Sequence, residues 1–133
     1  MISILILAAV ATAQTPYEEH HCDEPMAQQD MNACAQLDFE AADKELNLLW
    51  RDVIGAARQA DKGLDRNDDT RPTHEAALRA AQRAWIQFRD AHCTYEGYEM
   101  RGGSMEPMLY SGCRARLTRA RIAELKPTDT ESR

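Results

Sequence analysis

Between Leu78 and His92, apolar side chains recur as Leu78, Ala81, Trp85, Phe88 and His92, at intervals of three, four, three and four. An α-helix returns such positions to one face, whereas a strand, with its period of two, would scatter them over both. The same period runs through Phe39, Ala42, Leu46, Leu49, Val53, Ala56 and Ala60, which predicts one long helix from about Ala27 to about Lys62. Gly63 to Thr73 breaks it with Gly, Asn, Asp and Pro and reads as a linker, with Thr70 or Thr73 available to cap the second helix. Gly97, Gly102, Gly103 and Pro107 mark a loop. After it, Cys113, Leu117, Ala120 and Leu125 form the stripe of a third helix, closed by Pro127. No segment alternates for long enough to suggest a strand. The predicted fold is an all-α antiparallel bundle of three main helices.

The N-terminus bears on the compartment. Met1 to Ala13 carries no charge, holds an apolar core from Ile4 to Val10 and ends in Ala11-Thr12-Ala13, the pattern of a signal peptide with its cleavage site, although no positive charge precedes the core. That core is far short of the roughly 20 residues a bilayer span takes. No lipid-attachment pattern precedes Cys22, so the mature chain is expected to lack a membrane anchor and to be periplasmic or secreted. The expected organisation is a signal peptide over 1–13, a helical domain over 14–126 and a polar tail over 127–133. At 133 residues the chain is one domain's worth, and its net charge of −6 argues against nucleic acid, where Lys and Arg must offset phosphate.

Export makes the cysteines interpretable. Cys22, Cys34, Cys93 and Cys113 should form two disulfides, and their spacing does not resemble a zinc site; no metal or other cofactor is expected. In an up-down-up bundle the start of the first helix, the end of the second and the start of the third share one end. Cys22 with Cys34 and Cys93 with Cys113 closes the shortest loops and is favoured, while Cys34 with Cys93 is also compatible with that geometry.

Several residues invite a functional reading, and each also has a plain one. Asp43 and Asn47 lie one turn apart and suit hydrogen bonds to each other or to a neighbouring helix. Trp85 and Phe88 sit in the apolar stripe and are expected in the core. Arg89 and Asp90 flank that stripe, where a helix-to-helix ion pair is expected. Gly102-Gly103 permits a positive φ ahead of Ser104, which could cap a short helix around Met105 to Tyr110. Nucleophilic catalysis needs a Ser or Cys with a positioned base. The cysteines are expected to be oxidised, and Ser104 and Ser111 have no evident histidine partner, so the chain is not read as an enzyme.

Cys34, Ala42-Asp43-Lys44-Glu45-Leu46-Asn47, Leu78 to Cys93 with its Gln82, Trp85, Phe88, Arg89 and Asp90, Gly102-Gly103-Ser104, and Cys113 with Leu117 to Arg121 follow one another in this order. Together they resemble the exported bacterial family called lysozyme inhibitor LprI-like, over nearly all of the mature chain. The resemblance implies an all-helical, disulfide-containing module outside the cytosol, some of whose members inhibit lysozyme. Trp50 departs from it, standing where the family usually has tyrosine.

Charge supplies a second argument. Residues 14–69 carry 14 acids and 5 bases, net −9, while residues 70–133 carry 8 acids and 11 bases, net +3. An acidic face would steer a basic partner such as lysozyme, or another basic envelope protein, in a salt-dependent way. The expected contact element is the disulfide-bracketed loop from Tyr95 to Gly112. It offers Tyr95, Tyr98, Arg101, Ser104, Met105 and Tyr110, and a rigid loop loses little entropy on binding. Arg101 and Ser104 are the residues expected to enter the lysozyme cleft and meet its two carboxylates. The competing reading is an envelope interaction module with another partner and no effect on lysozyme.

Overall fold

The computed structural model describes residues 13–127. The expected signal peptide, apart from Ala13, and the tail beyond Pro127 lie outside the described residues. The chain begins with a four-residue turn of helix, α1 (Pro16–Glu19), started by a capping box. Thr15 accepts from the Glu18 amide, the Glu18 carboxylate accepts from the Thr15 amide, and Pro16 stands where no amide donor is needed. Its successor, α2 (Gln28–Lys62), has 35 residues and is about 52 Å long at 1.5 Å per residue.

The linker ends where Thr73 caps α3 (His74–Gly97), its hydroxyl accepting from the Ala76 amide at 3.1 Å. From the last turn of α2, Asp61 accepts from the His74 and Glu75 amides at 2.7 and 3.0 Å, so two helices share one capping arrangement. A single 3-10 turn, Tyr98–Met100, follows, and then α4 (Glu106–Leu125). The short helix expected over Met105–Tyr110 and the helix expected from Cys113 are one continuous element. Pro107 does not break it, because it falls in the first turn, where its missing amide has no acceptor to serve. Ser104 does not cap it: the capping position is Met105, with no side-chain cap bond.

Helices α2, α3 and α4 run up, down and up, and α4 packs along both of the others. The buried side chains are Phe39, Ala42, Leu46 and Ile54 on α2, Gln82, Arg89 and Cys93 on α3, and Ser111, Cys113, Ala115, Thr118 and Ile122 on α4. Both disulfides take the local pairing, Cys22 with Cys34 and Cys93 with Cys113, with Cα atoms 5.5 and 5.4 Å apart.

Five stripe positions are corrected by the packing. Ala56 and Ala60 of α2 and Ala120 of α4 are exposed, since a methyl group contributes too little apolar area to dictate which face turns inward. Phe88 is also outside the core, 56% exposed and stacked on His92 with ring centroids 5.4 Å apart. The inward face of α3 is Gln82, Arg89, Cys93 and Gly97, with Trp85 half-buried beside it and Ala81 exposed. Bridging Cys93 to Cys113 turns that side of α3 toward α4, and Phe88, five residues before Cys93, then points about 140° away.

Candidate functional site

At the stapled end, α3 stops against α4. A Cβ on buried Gly97 would lie 3.5 Å from the Glu106 carbonyl and 3.6 Å from the Tyr110 Cβ, ordinary van der Waals contact, so a methyl group would just fill the space between the helices. The chain then reverses through Arg101 to Met105. Gly102 has φ +76°, which an L side chain would strain, and its amide donates to the Glu106 carboxylate at 2.7 Å. The Gly103 amide donates to the Met100 carbonyl at 2.8 Å, and a Cβ there would come within 3.1 Å of that oxygen. From the first turns of α2, Asn32 Nδ2 donates to the Ser104 carbonyl at 2.9 Å.

This turn presents exposed side chains. Tyr95 is 76% exposed, Tyr98 and Met100 are exposed beside it, and the Arg101 guanidinium lies over the Tyr98 ring, 4.3 Å from its centroid. Ser104 is exposed as well, its backbone committed to Asn32 and its hydroxyl without a partner among the described residues. The other two expected contact residues lie deeper. Met105 and Tyr110 are half-buried, and Tyr110 packs under the Arg114 guanidinium at 4.9 Å.

Beneath the turn, the residues singled out in the sequence converge on Arg89, which is only 5% exposed. Its Nε donates to Asp90 at 2.9 Å, and its Nη1 reaches Thr118 at 3.3 Å and Asp43 at 3.5 Å. Its guanidinium lies 5.1 Å from the ring centroids of both Phe39 and Trp85. Asp43 also accepts from Asn47 Nδ2 at 3.1 Å. Sequence reasoning missed Arg114, which lies 3.6 Å over the Phe39 ring and 3.5 Å from Asp90, with its buried Nε making no hydrogen bond. The available signal was its place beside Cys113, on a helix already known to face the seam. These are packed, paired side chains, and what they do chemically is fix three helices in register.

This arrangement coincides with a family pattern: the family model described as lysozyme inhibitor LprI matches residues 22–125, from the first cysteine to the end of α4. The chain belongs to the LprI family. An uncharacterized protein of Rhizobium meliloti (strain 1021) is 48% identical to this LprI-family chain over 122 residues, which cover 92% of this chain and 88% of that one. No solved structure matches it.

Two charge features complete the description of this LprI-family chain. His92, Glu96 and Cys113 bring potential metal-ligand atoms within 4.8 Å of one another, but the Cys113 sulfur is bonded to Cys93 and is no thiolate, while Glu96 is engaged by Arg116 at 2.7 Å. The expected division into an acidic and a basic face is corrected in part, because ion pairs stitch the two halves together: Asp38 with Arg119, Asp43 with Arg89, Glu45 with Lys126 and Glu75 with Arg58. Among the acids without an ion pair in the described residues, Glu18, Glu19, Asp23 and Glu24 flank Cys22 in the chain, while Glu40, Asp52, Asp65, Asp68, Glu99 and Glu106 are spread along the rest of it. Among the described residues, no helix is long and apolar enough to cross a membrane.

Proposed function

We propose that the protein is an exported, non-enzymatic binding protein, periplasmic or secreted, that inhibits lysozyme by placing the turn of the stapled end in the lysozyme cleft. The observation that carries this reading is the exposure of Tyr95 on the last turn of α3, and of Tyr98, Met100 and Arg101 leading into a turn held by the Cys93–Cys113 disulfide and by Asn32. Tyr, Met and Arg are the side chains enriched in protein interfaces, and a turn already ordered loses little entropy when it docks. Family membership supports lysozyme as the partner. The two disulfides support a site of action outside the cytosol.

In this reading Arg101 and the Ser104 hydroxyl hydrogen-bond the paired carboxylates of the cleft, and the protein itself performs no chemistry. The acids around Cys22 are tied to the same first turns of α2 and steer a basic partner toward this end, so inhibition weakens as salt rises. The test is a lysozyme activity assay over a salt series with the oxidised protein. The Arg101→Ala, Ser104→Ala double variant keeps the fold, since Asn32 holds the backbone of Ser104, and should weaken inhibition at least about tenfold. A folded double variant that inhibits as well as the parent sinks the assignment of these two residues. Absence of inhibition by the parent at low salt would leave an envelope interaction module with another partner.

A further inference from the structure

Away from the stapled end, α2 and α3 leave an open groove of about 220 Å³ between them. Asn47 and Trp50 line it from α2, and Arg79, Gln82, Arg83 and Ile86 from α3. We propose that this groove binds a single sugar ring that carries a carboxylate, a site separate from the turn that meets lysozyme.

The groove combines three kinds of group that such a ring requires. Trp50 and the exposed Ile86 give it apolar walls against which the C–H face of a pyranose packs. Gln82, only 9% exposed, has its carbonyl oxygen committed to Arg121 Nε at 3.1 Å, while its amide nitrogen has no partner among the described residues and is free to donate into the groove. Asn47 is the complement: its nitrogen donates to Asp43, which leaves its carbonyl oxygen to accept from a hydroxyl. An apolar ligand would cover the Gln82 nitrogen without bonding it, which is costly.

The charge of the groove selects among sugars. Arg79 is paired with Glu75, whose Oε1 it binds at 2.8 and 2.9 Å and shares with Arg58 at 3.0 Å. Arg83 makes no ion pair among the described residues, so the groove carries an excess of positive charge, with that of Arg83 open to a ligand. A carboxylate on the ring meets that charge, and a neutral sugar does not.

The probes are N-acetylmuramic acid, which has the carboxylate, and N-acetylglucosamine, the same ring without it, titrated into the full oxidised protein by NMR. Both should shift the side-chain amides of Asn47 and Gln82 and the Trp50 indole N–H, the acid binding more tightly. Arg83→Gln should weaken the acid about two- to fivefold and leave the neutral sugar unchanged. Trp50→Ala should weaken both about tenfold, and Trp50→Phe, which keeps the packing if the alanine variant unfolds, should weaken both by less. The proposal is overturned if neither sugar moves these signals, if Arg83→Gln weakens both sugars equally, or if the folded Trp50 variants bind like the parent. Free glutamate binding as tightly as N-acetylmuramic acid would overturn it too, assigning the groove to an acidic peptide.

Discussion

Arg89 occupies the position on α3 where a bundle of this size would ordinarily place a leucine, and its surroundings explain why a charge is tolerated there. Two aromatic rings cover its faces, and two carboxylates and a threonine hydroxyl take up its edge. A planar, forked cation meets all of these at once, which a lysine ammonium does not. Arg89→Met removes the donor that Asp43, Asp90 and Thr118 share. Both carboxylates remain partly hydrated, so the expected loss is about 2 kcal/mol, less than for a fully buried pair. Arg89→Lys should recover under half of it. Urea unfolding of the three proteins measures this, and a lysine variant as stable as the parent would show that charge alone, and not the fork, matters.

At the scale of elements, α3 shows what sequence periodicity conveys and what it omits. Its existence and approximate end are legible because the period and the glycines agree, and the sequence narrows its cap to Thr70 or Thr73, of which the structure uses Thr73. Its rotation is not: the apolar stripe lies one residue away from the face that turns inward. The information that fixes the rotation lay in the cysteines: Cys93 must face Cys113, and Arg89 and Gln82 lie four and eleven residues before it, on the same side of the helix. The turn at the stapled end was legible through Gly102 and Gly103. The Asn32 contact that anchors it, spanning 72 residues, left no local signal, and neither did α1 or the groove around Trp50. The corrected rotation makes a prediction that opposes the apolar stripe. Phe88→Ala should change stability by no more than about 0.5 kcal/mol. Trp85→Ala, which uncovers Arg89, should cost about 2 kcal/mol. Thermal melts of the two variants decide it, and a Phe88 variant that loses more than the Trp85 variant would restore the original face.

Across the whole molecule, the two ends are held by different chemistry, and acid separates them. One end carries both disulfides, which do not titrate in this range. The body and the linker end are held by carboxylates reaching between helices. The Arg119 hydrogen bonds hold the Asp38 carboxyl below its ordinary range, despite partial burial. Desolvation pushes the Asp61 carboxyl up, but the Glu75 and His74 amides and the His74 ring outweigh it, so the net direction is down. Arg79, and then Arg58, lower Glu75 in the same way against desolvation. Each group therefore holds its proton more weakly folded than unfolded. Its contribution is complete at pH values above the ordinary carboxylate range near 4, and is lost as pH falls through the lower folded values. Between pH 7 and pH 3 the urea midpoint should therefore fall in the oxidised protein. The loss should be largest at the junction of α2 and α3, where each increment of protonation weakens the Asp61 cap and lets the amides of His74 and Glu75 exchange faster with solvent. The amides of α3 and α4 flanking Cys93 and Cys113 should keep their protection, because the covalent link prevents those helices from parting. After correction for the intrinsic pH dependence of exchange, hydrogen exchange at the two pH values reads both ends in one experiment. Equal loss of protection at the two ends would mean that the bundle responds to acid as a single cooperative unit.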